Sequence, residues 1–306
     1  MTNQTTIIPY ADPESIIYLV LDSVSSDHSK RAYKIALKGF LSWYNEQDKP
    51  GLTKATVQRY KAVLQASGLS NSSINLKMSA IRKLAQEAGD NGLIEQPIAN
   101  GISRIKGVKH QGVRTGNWLS KDQAQSLINL PDINTHKGLR DRAILAILIG
   151  AGLRRSEVAS LTFSHLQQRE SRWVIIDLIG KGKRVRSVPI PLWVKDAIDE
   201  YAITAGIEQS GNIFRRISRY DNITGDHMTP QAVRDVVVHY SNKLGVPIAT
   251  HDLRRTYAKL AHKGGSSLDQ VQLSLGHSSI QTTQIYLGLT QSIIDSPGDH
   301  LGLNIN

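Results

Sequence analysis

A short segment near residue 250 carries more positive charge than its own acidic side chain can neutralise. His251, Arg254 and Arg255 lie within five residues, and the single carboxylate among them belongs to Asp252. On a helix that turns about 100° per residue, His251 and Arg254 lie about 60° apart, so both can face one anion, while Arg255 points further round towards solvent. The segment therefore predicts either solvated side chains or an anion-binding site.

Further reactive side chains stand beside breaks in the pattern of the chain. Arg154 follows a Gly-Leu break, and Glu157 is three residues further on, a spacing that usually indicates a surface ion pair on a helix. Lys181 lies in a Gly-Lys-Gly-Lys turn, either as a solvated turn residue or as a mobile cation delivered into a site. His277 follows a glycine, and Tyr286 comes nine residues later. An isolated histidine or tyrosine is more often structural than catalytic.

The composition narrows the class of protein. The chain has 306 residues, 40% of them hydrophobic, which suffices for one large domain or two of ordinary size. It has no cysteine, so disulfides, cysteine–zinc sites and thiol catalysis are excluded. The N-terminus does not resemble a secretory signal, and the apolar run at 143–153 is shorter than the about 20 residues that a bilayer requires. We expect a soluble, cytoplasmic protein without a membrane partner.

The charge balance points to a polyanionic partner. A net charge of +11 and a pI of about 9.7 are typical of nucleic-acid-binding proteins, although a protein can also be basic without binding one. Residues 104–121 carry five basic side chains and no acid, and KGKRVR at 181–186 carries four basic groups in six residues. These two stretches are the first candidates for DNA contact.

The hydrophobic periodicity divides the chain into two parts. Residues 1–105 are predicted to form a helical domain with helices at 11–25, 25–47, 53–67 and 71–89. A basic, glycine-containing linker is expected at 106–118, and a second domain at 119–306. In that domain we expect helices at 120–130, 136–152, 154–163, 192–205, 229–243, 251–263 and 267–275. A β-hairpin is predicted at 172–191. The fold class is therefore mainly α with a small antiparallel β-sheet.

The order of the motifs is more specific than any one of them. GLRRSE, a hairpin with GKGK, HDLRR, LGHSS and a tyrosine nine residues after the histidine follow one another. In this order they resemble the tyrosine recombinase, or phage-type integrase, family. The resemblance covers residues 119–290, and the helical unit before them resembles the SAM-like core-binding domain of that family. The matching catalytic positions are Arg154, Lys181, His251, Arg254, His277 and Tyr286.

The resemblance implies a role for each position in the attack on a DNA phosphodiester. Arg154 and Arg254 would bind the non-bridging phosphate oxygens, since guanidinium groups bind phosphate bidentately. His277 would add a hydrogen bond to the same group, and Glu157 would orient the neighbouring side chains. This arrangement would stabilise the charge of the transition state.

The resemblance also implies a covalent intermediate. Tyr286 would be the nucleophile, His251 would accept its proton, and Lys181 would donate a proton to the departing 5′ oxygen. Lys183 is an alternative to Lys181, because the turn contains two lysines. The phosphodiester energy would be kept in a 3′-phosphotyrosine bond, so no cofactor, ATP or metal is expected.

The family implies a particular assembly on DNA. Its members clamp double-stranded DNA at inverted-repeat core sites, act as homotetramers on two sites, and can use accessory DNA-bending proteins. Ile293 and Ile294 of the C-terminal tail could dock on a neighbouring subunit. Arg255 could contact a neighbouring phosphate or only solvent. The residues expected to contact DNA are Arg104, Lys106, Lys109, Arg114, Lys183, Arg184 and Arg255.

Three functions remain open at this point. The first is site-specific recombination, for integration and excision of a mobile element or for dimer resolution. The second is nicking and closing of DNA by a type IB topoisomerase-like enzyme. The third is DNA-binding regulation by a chain with a weak or inactive site.

Overall fold

The computed structural model describes residues 13–47, 51–109, 117–180 and 184–288. The chain divides into two compact units, Met1–Val113 and Arg114–Asn306. Five side chains singled out from the sequence lie outside the described residues, namely Arg114, Lys181, Lys183, Ile293 and Ile294. No helix within the described ranges is both long enough and apolar enough to cross a bilayer.

The N-terminal unit is entirely helical over its described residues. Its helices are α1 (Pro13–Asp22), α2 (Asp27–Glu46), α3 (Lys54–Ala66), α4 (Asn71–Asp90) and α5 (Gln96–Ser103). The hydroxyls of Ser26, Thr53 and Ser70 each accept a hydrogen bond from the backbone N–H three residues on, so all three helix starts follow from a capping side chain.

Helix α5 was not expected from the sequence. Its eight residues, QPIANGIS, contain a proline and a glycine, which suggest a loop. Pro97 lies in the first helical turn, where a missing N–H costs no hydrogen bond, and Ala99 and Ile102 are buried against the rest of the unit. Burial of these two side chains therefore outweighs the unfavourable composition.

The beginning of the predicted linker is bonded to this unit. Val108 donates its N–H to the Asn75 side chain at 2.7 Å and accepts from the same side chain at 2.9 Å. Lys61 donates to the carbonyl of Lys106 at 2.9 Å, and Arg82 donates to that of Ile105 at 3.0 Å. Residues 105–108 are thus held on the surface of α3 and α4.

The second unit is built around α7 (His136–Gly150). Seven consecutive residues of this helix, Ala143–Ile149, are buried, which confirms that the apolar run is a core helix. The surrounding helices are α6 (Lys121–Asn129), α8 (Arg155–Ala159), α9 (Leu192–Thr204), α10 (Pro230–Leu244), α11 (Thr250–Lys263), α12 (Leu268–Leu275) and α13 (Ile280–Leu287).

A three-stranded antiparallel sheet completes this unit, in the order β1 (Leu166–Arg169), β2 (Arg172–Ile179) and β3 (Val185–Ile190). The predicted hairpin is confirmed as β2 and β3. Strand β1 was not expected, because its sequence, LQQR, is mostly polar and none of its residues is buried. A β-bulge between Ile175 and Leu178 gives Asp177 a left-handed backbone, with φ of 54°.

Helix α13 was also missed. Its first residues continue the polar run SSIQTTQ, which lacks an apolar period of its own. Thr283, Tyr286 and Leu287 are nevertheless buried, and Tyr286 and Leu287 pack with Leu275 of α12 and Ala258 of α11 in a small separate cluster. Tertiary packing therefore makes this segment helical.

Candidate active site

The Gly-Leu break places Arg154 at the end of α7. Gly152 adopts a left-handed backbone with φ of 61°, and a Cβ there would lie 2.4 Å from the Tyr257 ring. Only glycine fits such a position without strain. The chain leaves α7 at this point, and Arg154 precedes the first turn of α8.

Glu157 is the anionic centre of the site. Its side chain is 4% exposed, and its two oxygens accept from the backbone N–H and Nη1 of Arg154, both at 2.8 Å. Nη1 and Nη2 of Arg186 donate to the same two oxygens, also at 2.8 Å. Burial raises the pKa of Glu157, but the hydrogen bonds and charge of the two arginines outweigh it and lower the pKa to about 2. Glu157 is therefore ionised, and the surface ion pair suggested by the spacing is a buried one.

Arg254 is buried, at 3% exposed. Its side chain on α11 donates from Nη1 to the carbonyl of Gly152 and from Nη2 to that of Leu275. Burial, together with the charge of Arg154, lowers the pKa of Arg254 to about 10, so the guanidinium stays charged at neutral pH.

A small cavity opens between the starts of α8 and α11. It has a volume of about 220 Å³, and its lining includes the side chains of Arg154, His251 and Arg254. Arg154 is 32% exposed, so part of its guanidinium remains accessible although Glu157 holds it. Together with Arg155, these basic residues line a space whose charge suits an anion, which is one of the two alternatives that the sequence left open.

Tyr286 reaches the same region from α13. Its hydroxyl lies 2.5 Å from Nδ1 of His251 and 3.1 Å from the His251 carbonyl oxygen. Burial raises the pKa of Tyr286 to about 12, although the charges of Arg254 and Arg255 oppose this effect. A phenol with so high a pKa needs a proton acceptor to react near neutral pH, and His251 lies in hydrogen-bond contact with it.

His277 also lies against the tyrosine ring. It follows Gly276, whose φ of 62° ends α12, and its ring centroid is 5.2 Å from that of Tyr286. Nδ1 is 2.9 Å from the hydroxyl of Thr283, which is fully buried. Burial and the charges of Arg254 and Arg154 lower the pKa of His277 to about 4, so the imidazole is neutral at pH 7.

Two residues of this site were not singled out from the sequence. Arg186 was counted only as part of the basic KGKRVR stretch. The sequence did contain a signal for Arg186. It alternates along β3 with Val188 and Ile190, which are buried, so the three side chains share one face of the strand. An arginine on a buried face requires a carboxylate partner, because an unpaired buried charge is costly. Thr283 lies six residues after His277 in the polar run, and nothing in that run marks it.

Arg255 does not point towards solvent, so that expectation was wrong. Its side chain is 15% exposed, its guanidinium carbon lies 4.9 Å from the centre of the Tyr286 ring, and Nη1 donates to Asp252 at 3.2 Å. Helix α13, which the sequence did not predict, supplies the ring that covers it.

Four of the residues expected to contact DNA lie at exposed positions. Arg104, Lys106 and Lys109 are exposed on the N-terminal unit, and Arg184 is exposed directly before β3. Of the six catalytic candidates, the five that are described converge at the cavity or at the tyrosine beside it.

Comparison with known proteins then decides the family. Residues 117–292 match the phage integrase family, and residues 16–92 match the phage integrase N-terminal SAM-like domain. The chain belongs to the phage integrase family. The predicted family, fold class and enzyme class, a tyrosine-type site-specific DNA recombinase, are thereby confirmed.

Relatives extend over nearly the whole chain. Tyrosine recombinase XerC of Thermodesulfovibrio yellowstonii is 28% identical over 276 residues, which are 88% of this chain and 88% of that protein. The XerH site-specific recombinase bound to palindromic difH substrate has a TM-score of 0.69 at 18% identity, covering 86% of this chain and 76% of that one. The Tn1549 transposon integrase in complex with transposon right end DNA has a TM-score of 0.66 at 16% identity, covering 94% of this chain and 98% of that one. The two structures show a shared integrase fold.

Proposed function

We propose that this integrase cuts and rejoins double-stranded DNA through a covalent bond between Tyr286 and a 3′ phosphate. One observation carries the proposal: the Tyr286 hydroxyl lies 2.5 Å from Nδ1 of His251, and His251 lines a cavity together with Arg154 and Arg254. A nucleophile, a base and two phosphate-binding cations therefore stand together. Separate structural roles do not explain this convergence.

The scissile phosphate occupies the cavity in this proposal. Arg154 and Arg254 bind its non-bridging oxygens, and their charge grows in importance as the phosphorane-like transition state gains negative charge. His277 is neutral. With the Thr283 hydroxyl donating to Nδ1, the imidazole keeps its proton on Nε2 and donates it to a phosphate oxygen. Glu157 holds Arg154 in place from behind.

The chemical step then balances as a transesterification. The Tyr286 oxygen attacks phosphorus, its proton passes to His251, and the bond between phosphorus and the 5′ oxygen breaks. A lysine of the β2–β3 turn protonates that oxygen. We assign this to Lys181, with Lys183 as the alternative. Gly180, the residue directly before the turn, supports an assignment to this turn, because a Cβ on it would lie 3.5 Å from Nη1 of Arg154.

The basic surface supplies the affinity for DNA in this proposal. Exposed Arg104, Lys106, Lys109 and Arg184 contact backbone phosphates, and Arg255 instead stacks on Tyr286. Binding therefore weakens steeply with salt. We further propose a cytoplasmic protein that acts as a homotetramer on two inverted-repeat core sites, with accessory DNA-bending proteins. Its role is mobile-element integration, as the name of the Tn1549 integrase suggests, or dimer resolution.

Trapping the covalent adduct tests the function. The protein is incubated without metal with duplex DNA from the flanks of its own gene, nicked to prevent religation, and is then denatured in SDS. The wild type and Tyr220→Phe, which changes a tyrosine that is 70% exposed, form adducts, whereas Tyr286→Phe binds the same DNA and forms none. Adducts with Tyr286→Phe would show that another residue is the nucleophile.

Two further outcomes separate the alternative functions. Adduct formation and relaxation of supercoiled DNA, without exchange between two DNA molecules, would favour a topoisomerase-like enzyme. Tight binding of one DNA sequence by the wild type, with no adduct on nicked substrates, would favour a regulator. The assembled positions of Arg154, His251 and Tyr286 argue against the regulator.

A further inference from the structure

We propose that Arg186 is a positioning residue, which holds the Arg154–Glu157 pair and the turn before His277 in one fixed arrangement. The effect of Arg186 on catalysis rests on the proposed function. The coupling that it provides between the Arg154–Glu157 pair and the turn before His277 does not. Arg186 is on β3, Glu157 on α8 and His277 after α12, so three separate elements meet at one side chain.

One end of this connection is the Glu157 carboxylate. Nη1 and Nη2 of Arg186 each donate to one carboxylate oxygen at 2.8 Å. Such a bidentate pair fixes the plane of the carboxylate as well as its position. Both side chains are nearly buried, at 10% exposed for Arg186 and 4% for Glu157, so water does not compete for these bonds.

The other end is the turn that leads from α12 to His277. Nε of Arg186 donates to the carbonyl of Ser274 at 2.8 Å. The stem of Arg186 passes close beneath the turn, because a Cβ on Gly276 would lie 2.9 Å from Cδ of Arg186. Gly276 is the residue directly before His277, so the position of the arginine stem limits where the histidine backbone can lie.

Arg186 also divides the charge of Glu157 between two arginines. One oxygen of Glu157 accepts from Nη1 of Arg154 and from Nη1 of Arg186. In the absence of Arg186, the full carboxylate charge would act on Arg154 alone and compete with a phosphate for its guanidinium. With Arg186 present, Arg154 is oriented by Glu157 and still able to bind an anion.

The groups around Glu157 predict how its titration depends on Arg186. Arg154 and Arg186 face it directly, Arg254 acts on it through its charge, and His165 and Asp177 line the small cavity on its other side. The hydrogen bond from Arg186 is the strongest of the effects that lower the pKa of Glu157, against the opposing effect of burial. Loss of Arg186 therefore allows Glu157 to take up a proton at a higher pH.

Substitution of Arg186 tests the proposal in the full-length chain. We compare Arg186→Ala and Arg186→Lys with Arg169→Ala, which removes an exposed guanidinium that bonds Gln167 of its own strand. Adduct formation on the nicked duplex is expected to slow by about 10- to 100-fold in both Arg186 variants, since a displacement of about 1 Å in a site can have such an effect. Binding to the duplex is expected to stay within about twofold of wild type, since the proposal assigns Arg186 no contact with DNA.

The lysine variant separates positioning from charge. Lysine keeps the positive charge, but one ammonium group cannot replace a guanidinium that bonds two carboxylate oxygens and a carbonyl. Little rescue by Arg186→Lys is therefore expected. In Arg186→Ala, the stability that ionised Glu157 contributes is expected to be lost at a higher pH than in wild type. Full rescue by lysine, or wild-type rates in Arg186→Ala, would overturn the proposal.

A second measurement does not require DNA cleavage. The NMR signal of the His277 Cε1–H group is followed against pH in the free protein. Both Arg186 variants are expected to change its chemical shift, and Arg186→Ala, which removes a positive charge, is also expected to raise the pKa of His277. Arg169→Ala is expected to leave the shift and the pKa unchanged. An unchanged His277 signal in both Arg186 variants would refute the coupling even if the wild type cleaves DNA. A changed signal in a chain that forms no adduct would leave the coupling standing while the proposed function fails.

Discussion

Replacing the buried carboxylate of Glu157 by an amide is expected to destabilise the catalytic unit. The pKa of this carboxyl is lowered from 4.5 to about 2, because bonds from Arg186 and Arg154 outweigh the opposing effect of burial. At about 1.4 kcal/mol per pH unit, this lowering of the pKa contributes about 3 kcal/mol to the free energy of unfolding. Glu157→Gln leaves both guanidinium groups without a counter-charge, and loss of one partner of a buried pair costs about 3–5 kcal/mol. The pKa of Glu157 and the usual cost of breaking a buried pair therefore give similar destabilisation.

The pH dependence follows from the direction of this pKa change. A lowered pKa in the folded state stabilises the protein fully above about 4.5, the value in the unfolded chain, and the effect disappears as pH falls through about 2. The difference between wild type and Glu157→Gln is therefore expected to shrink from about 3 kcal/mol at pH 7 to about 2 kcal/mol at pH 3.5.

Urea unfolding of the full chain measures this difference in stability. Hydrogen exchange in the segment that contains α7 reports on unfolding of the catalytic unit alone. At about 2 kcal/mol per molar urea, the midpoint for Glu157→Gln is expected about 1.5 M below that of wild type at pH 7. Glu208→Gln, at an exposed position, serves as the control and should change stability by less than about 0.5 kcal/mol. A midpoint within about 0.3 M of wild type, or a difference that does not shrink towards pH 3.5, would refute the reasoning.

Two further substitutions address the groups around the nucleophile. Thr283→Val removes the hydroxyl partner of His277, and we expect adduct formation to fall by about tenfold, the effect of one hydrogen bond, with DNA binding unchanged in a mobility-shift assay. Equal rates for the two proteins would show that Thr283 does not orient His277. Arg255→Met removes a charge that opposes the burial-induced rise in the pKa of Tyr286, so the cleavage pH profile is expected to move to higher pH. A variant that instead binds DNA more weakly, with a smaller salt dependence, would place Arg255 on a backbone phosphate.

The motifs predicted which side chains come together better than they predicted the elements that support them. Arg154, His251, Arg254 and Tyr286 could be found because their types and order reflect the chemistry. The burial of Arg254 could not, since an arginine in a helical pattern is assigned to the polar face, and here two backbone carbonyls from distant parts of the chain receive its donors. Sequence spacing does not show such long-range acceptors.

The missed elements share one physical cause. Helix α5, strand β1 and helix α13 are each eight residues or fewer and lack a clear apolar period, so local propensity alone does not specify them. Each forms because a neighbouring element provides the surface for it. The missing helix α13 then led directly to the wrong expectation for Arg255, since its covering ring belongs to that helix.

The two halves of the site are anchored to different degrees in the protein. The half that we propose to bind phosphate adjoins the main core, in which Leu253 of α11 packs with α7. Tyr286, the proposed nucleophile, instead stands on an eight-residue helix that packs in a small separate cluster. Opening of such a peripheral segment requires much less free energy than unfolding of the core. In the proposed mechanism, α13 can therefore carry Tyr286 away from the site while the cavity lined by Arg154 and Arg254 stays intact. If Tyr286 is the nucleophile, the free energy that docks α13 sets the fraction of molecules able to cut DNA.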